Sequence, residues 1–149
     1  MKVKEVMDTP VVSVSPHTRY EEVARILYAD HISGVPVLDD AGVLVGFVSE
    51  KDIFRILYPW YQSYYEHPEH YTDMEARESK AKDIKDTPVS VFMKKNIVSV
   101  SPHDPVMKAG ALMLSRDVNR LPVVEDGVVV GVVSRDSIYK AVLKKNFNF

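Results

Sequence analysis

The seven residues Val11–His17, VVSVSPH, return as Ile97–His103, IVSVSPH, 86 positions later. A chain that repeats itself in this way is constrained to fold as two like units. At the same offset Met7 meets Met93 and Pro36-Val37 meets Pro122-Val123. After a one-residue deletion Gly42–Ser49 (GVLVGFVS) meets Gly127–Ser134 (GVVVGVVS). Each unit of roughly 55 residues is too small to shield both faces of its own sheet, so the two copies are expected to pack sheet to sheet.

Both copies read alike in local structure. A short β-branched stretch, Val11–Val14 or Ile97–Val100, is closed by Ser-Pro and reads as a strand. A helix follows: Thr18 with Glu21 three residues on makes a capping box, and Asp104-Pro105 puts proline in the first helical turn. Tyr20, Val23, Ala24 and Leu27, and likewise Val106, Ala109, Gly110 and Met113, recur at the spacing of one helix face and predict a buried stripe. Met107 is also assigned to the core. Two strands then form a hairpin, Val35–Leu38 with Val43–Val48 and Leu121–Val124 with Val128–Val133, and a second helix begins at Ser49 or Ser134. The expected fold class is mixed α/β (α+β), a tandem strand–helix–strand–strand–helix duplication related by a pseudo-two-fold.

The expected domain organisation is 1–57 for the first unit, 58–88 for an insertion, and 89–149 for the second. The insertion holds the only Trp and five of the eight Tyr, with Trp60, Tyr61, Tyr64 and Tyr65 spaced i, i+4, and its charged stretch Met74–Asp86 favours helix. It reads as packing and linker, with an oligomer contact as the sharper alternative.

With 46% hydrophobic and 27% charged residues the chain has a globular composition. A net charge of −2 gives no electrostatic footprint for nucleic acid. The absence of cysteine excludes disulfides and thiolate metal sites, and no apolar run approaches the ~20 residues that span a bilayer. A cytoplasmic protein is expected, without membrane association. His67-Pro68-Glu69-His70 lacks the unbroken i, i+4 histidine pair of a helical zinc site, and His17 and His103 read as turn residues. No P-loop, nucleophile elbow or dinucleotide fingerprint occurs, so neither a catalytic residue nor a metal is assigned.

The duplicated VSVSPH segment, the Pro-Val hairpins and Gly46–Asp52, GFVSEKD, resemble a CBS-domain pair, or Bateman module, over nearly the whole chain. The resemblance leaves no room for a separate catalytic domain and implies a stand-alone module, not an enzyme, that senses an adenosyl ligand (AMP, ADP, ATP or S-adenosylmethionine) and regulates a partner protein. It also implies a homodimer.

The same resemblance implies ligand residues. Ser49-Glu50-Lys51-Asp52 matches the family's ribose motif, in which Asp52 and Ser49 hold the ribose, Asp52 accepting from both vicinal hydroxyls; the nearby hydroxyl and helix N-terminal amides also suit a phosphate. By itself Ser49-x-x-Asp52 before Ile53, Phe54 and Leu57 is also a helix cap, and the two roles are compatible. Asn119 and Arg120, before Pro122, are implied to reach the phosphates together with Lys51, Arg120 by a bidentate fork. Thr9, Val11, Val12 and Ile32 are implied to make the adenine slot. In the second copy Ser137 stands where the ribose aspartate belongs, and Asp136, one residue early, should point about 100° away. With Ser134 and the cation-free Ser33, that copy predicts a degenerate second site and one ligand per chain. The rival reading is a dimerisation scaffold with an empty cleft. Single-stranded nucleic acid binding through Arg116, Arg120 and the tyrosines is a remote third.

Overall fold

The structure, a computed structural model, describes residues 1–58 and 74–148. The aromatic segment from Trp60 to Tyr65 and the His67–His70 stretch lie outside the described residues.

The first unit contains α1 (Tyr20–Ala29), β1 (Gly34–Leu38), β2 (Leu44–Ser49) and α2 (Glu50–Arg55). A charged helix α3 (Met74–Asp83) precedes the second unit, with α4 (Val106–Arg116), β3 (Arg120–Glu125), β4 (Val128–Ser134) and α5 (Arg135–Asn146). Both hairpins are antiparallel, with Gly34 opposite Ser49 and Arg120 opposite Ser134. Their turns use Gly42 at φ 79° and Gly127 at φ 77°, a region that side chains beyond Cα disfavour. The expected apolar stripes are found: Tyr20, Val23 and Leu27 on α1, and Val106, Ala109 and Met113 on α4, are buried.

Four expectations are corrected. The strands at Val11–Val14 and Ile97–Val100 shrink to single parallel bridges, Val14 to Val37 and Val100 to Val123, because only those residues lie alongside the hairpin. Thr18 does not cap α1. Its Oγ1 accepts from the Ser15 N–H at 3.0 Å, as Asp104 accepts from Ser101 N–H at 2.9 Å, so both close the Ser-Pro turn. Helix α4 accordingly starts one residue late, with Pro105 as its N-cap. Met107 is 65% exposed, since it falls about 100° round α4 from the buried stripe that begins at Val106.

Two cores form, and each is completed by a segment lying before the other copy. Val3, fully buried in a short 3₁₀ turn, packs with Val100, Met113, Leu121 and Val133 of the second unit. Val89, its equivalent 86 residues on, packs with Val23, Val37 and Val48 of the first. The backbone repeats the exchange: Val3 N–H donates to Asp104 O at 2.9 Å and Val89 N–H to Thr18 O at 2.8 Å. Further along, Asp8 pairs with Val132 and Lys94 with Phe47. Each crossing strand lays a methionine on a glycine of the hairpin it joins, Met93 on Gly46 and Met7 on Gly131.

A side chain at Gly131 would meet Met7 Sδ at 2.7 Å and Asp8 O at 3.2 Å. Gly131→Val is therefore expected to destabilise the protein by about 1–3 kcal/mol in urea denaturation, as overpacking does, with part of the loss restored by Met7→Ala.

Candidate functional site

The duplicated serine ends the second strand of each unit and caps the helix that follows. In the first unit Asp52, 2% exposed, closes the cap: Oδ2 accepts from Ser49 N–H at 2.9 Å and from Ser49 Oγ at 3.1 Å, while Oδ1 holds Arg55 Nη1 at 3.0 Å. A buried carboxylate needs this set, because leaving it unpaired in low dielectric costs several kcal/mol. Helix α2 is tied to α1 by Tyr20, whose hydroxyl donates to Ile53 O at 3.0 Å and whose burial raises the phenol pKa. In the second unit hydroxyls replace the carboxylate. Ser134 Oγ lies 2.8 Å from Ser137 Oγ and accepts from Ser137 N–H at 3.1 Å.

Among the described residues, two cavities are lined by both units. The first is lined by Ser49, Lys51 and Asp52 from one unit and by Arg116–Pro122 from the other, with Lys94 and Asn96–Val98 on the crossing strand. Lys51 joins the two units at its wall, with Nζ 3.1 Å from Asp117 Oδ2 and 3.3 Å from Asp117 O. Its walls combine four basic side chains (Lys51, Lys94, Arg116, Arg120) and three acidic ones (Glu50, Asp52, Asp117) with an apolar surface that includes Ile97, Val98 and Val118. Such a mixture accommodates a ligand with one flat apolar end and one anionic end. The second cavity is lined by Asp8, Val11, Val12, His31, Ile32, Ser134, Asp136 and Ser137, among others. Among the described residues no cluster of three or more His, Asp or Glu could hold a metal ion, and no helix is long and apolar enough to cross a membrane.

A family model for the CBS domain matches the chain twice, over residues 3–59 and 82–144. The chain belongs to the CBS-domain family. The A-adding tRNA nucleotidyltransferase of Aquifex aeolicus is 29% identical over 144 residues, 95% of this chain, and the chain spans only 14% of that relative's length. Among solved structures, the CBS domain pair of protein MJ0100, in complex with 5′-methylthioadenosine and S-adenosyl-L-methionine, superimposes with a TM-score of 0.73 at 23% identity, covering 97% of this chain and 98% of that one. CBSX2 in complex with AMP superimposes with a TM-score of 0.72 at 24% identity, covering 98% of each. At these identities the likeness is one of fold.

Within this CBS pair the structure brings Ser49, Lys51, Asp52, Asn119 and Arg120 to the first cavity. It does not bring the expected adenine wall there: Val11, Val12 and Ile32 line the second cavity, and Thr9 is exposed and lines neither. The strand crossover is the reason. The run from Asp8 on the second unit's Val132 to Val14 on the first unit's Val37 passes the Ser134 end, and the equivalent run from Lys94 to Val100 passes Asp52. The apolar wall beside Asp52 is the duplicated counterpart, Ile97, Val98 and Val118. That counterpart was readable from the 86-residue offset, as was Lys94, the equivalent of Asp8.

Arg120 and Ser33 do not sort onto separate sites. Both line both cavities, joined by Arg120 Nε donating to Ser33 Oγ at 2.8 Å. Asn119 also lines both, and its carbonyl accepts the Arg135 N–H at 2.8 Å, as Ser33 O accepts Glu50 N–H at 2.9 Å. The first amide of α2 is thus already satisfied and does not face a phosphate. Asp136, at the second cavity, turns its carboxylate to Lys140 at 2.8 Å along α5.

Asp52→Ala is expected to cost the unliganded protein about 1–3 kcal/mol in urea denaturation, because Ser49 and Arg55 lose a buried acceptor. Ser137→Ala, which leaves the Ser134 cap on the Ser137 amide intact, should stay within about 1 kcal/mol.

Proposed function

We propose that this CBS pair is a regulatory module that binds one phosphate-bearing adenosyl ligand per chain in the first cavity and passes its occupancy to a partner protein. The observation that carries the reading is the lining of that cavity: Ser49 and Asp52 opposite Arg120, with Lys94 at the side and Ile97, Val98 and Val118 as an apolar wall. The wall suits a purine face, and Asp52 offers charge-assisted acceptance to ribose hydroxyls if Arg55 shares Oδ1. The cations favour AMP, ADP or ATP over S-adenosylmethionine, whose sulfonium end is itself positive. MJ0100 and CBSX2, solved with adenosyl ligands, support the ligand class. In the second cavity Ser137 replaces the carboxylate and Asp8 stands where the first has Lys94, which weakens it for an anionic ligand. For occupancy to regulate, the ligand must bind one arrangement of the pair better than another, typically by about 1–3 kcal/mol.

A homodimer belongs to this reading. Apolar side chains stay exposed at duplicated positions, Tyr28 (84%) with Leu114 (73%) and Phe54 (60%) with Tyr139 (61%), a recurrence that supports a two-fold contact through the helices. Phe54→Glu with Tyr139→Glu is expected to reduce a dimer to a monomer in sedimentation velocity.

One observation favours an empty-cleft dimerisation scaffold instead: in this structure both Asp52 oxygens are already engaged by Ser49 and Arg55. Thermal shift separates the two readings. A ligand at 100 times its Kd adds about 2.7 kcal/mol, or roughly 5–10 °C for a chain of this size. AMP, ADP or ATP is expected to give such a shift, and calorimetric titration one site per chain. No shift from any adenine compound up to millimolar concentration supports the scaffold, and two equal sites overturn the single-site reading.

A further inference from the structure

Resting on the reading of the first cavity as a nucleotide site, we propose that Asp8 is an internal competitor for the ligand phosphate, so that filling the first cavity changes the charge of the second. Arg120 is the shared group. Its side chain is only 14% exposed and lines both cavities, with Nε on Ser33 Oγ at 2.8 Å and Nη1 3.5 Å from Asp8 Oδ2. Its cation is therefore turned toward the second cavity. A phosphate in the first cavity gains the Arg120 fork by drawing it from Asp8.

The duplication makes the asymmetry specific. Asp8 and Lys94 occupy equivalent places on the two crossing strands, bridged to Val132 and Phe47. Arg120 is the equivalent of Gly34, which has no side chain to offer Lys94. The pair Asp8–Arg120 thus exists on one side of the pseudo-two-fold alone. It lowers affinity for a phosphate in the first cavity by the strength of the ion pair that must be broken. When Arg120 leaves, Asp8 remains in the second cavity, whose other charged wall residues are Glu50, Arg135 and Asp136, the last already paired with Lys140. The released Asp8 carboxylate makes the second cavity less favourable to a second anionic ligand, and by linkage an anion held there weakens phosphate binding in the first cavity by the same factor.

The discriminating quantity is the ratio of AMP to adenosine affinity, measured by calorimetric titration on the full chain, since adenosine makes no demand on Arg120. Asp8→Asn is expected to raise this ratio about two- to fivefold, the range of a partly exposed ion pair, and to do nothing to it in an Arg120→Gln background. The Asp8 side chain is 57% exposed and its bonds to Val132 are made by the backbone, so the variant is expected to fold. If adenosine and AMP bind but Asp8→Asn leaves the ratio unchanged or lowers it, or raises it equally without Arg120, the competitor role is overturned and the nucleotide site stands. If neither compound binds the parent chain or Asp8→Asn, both fall together.

Discussion

Val3 and Val89 each sit, fully buried, in the core of the unit that their own copy does not otherwise build. Burying a valine is worth about 1.5–3 kcal/mol, and each exchange adds backbone hydrogen bonds and a methionine laid over a glycine. Two small units, neither of which closes its own core, are thereby made dependent on each other. The crossing strands that complete the cores also form the walls of the cavities between them, so the packing requirement and the ligand cleft have one structural origin.

That origin explains why the cleft is asymmetric although the fold is nearly symmetric. The exchange presents equivalent positions to the two cavities, and divergence has changed their chemistry: Asp52 against Ser137, Lys94 against Asp8, Ile97-Val98 against Val11-Val12. Backbone geometry is held by the shared core, whereas side chains at the cavity walls alter charge at little cost to packing. Arg120, lying where Gly34 lies in the other half, is the one cation among the described residues that lines both cavities, and Ser33 and Asp8 decide which way it leans.

Asp52 illustrates how a capping group and a ligand group become the same residue. Its carboxylate is buried because it closes the first turn of α2, and its oxygens are satisfied there by Ser49 and Arg55. A carboxylate held rigid in the cleft wall is already oriented, but a ligand must share or displace the Ser49 and Arg55 bonds to reach it. Those bonds also mean that Asp52→Asn is no clean test of ligand binding, since an amide presents one oxygen where Ser49 and Arg55 now use two.

The duplication, the hairpins with their Gly turns, the two buried helix stripes and the caps at Ser49 and Ser134 were legible in the residues, because each depends on neighbours within a few positions. Where the Thr18 hydroxyl and the Asp104 carboxylate bond was misread by one turn, for a Ser-Pro turn and a helix cap compete for the same acceptor. The grouping of the cavity walls was legible only in part: Ser49, Lys51, Asp52, Asn119 and Arg120 share the first cavity as expected, whereas the apolar wall does not come from the expected copy. Nothing in local sequence says that Val11 and Val12 face Ser134 instead of Asp52, or that Arg120 turns to Ser33 and Asp8, 87 and 112 residues away. The sequence alone determined that two like units form and which residues carry charge. Only the tertiary structure decided which charges meet, because the chain crosses from one unit to the other before each repeat begins, and long-range pairing is set by the closing of the two cores.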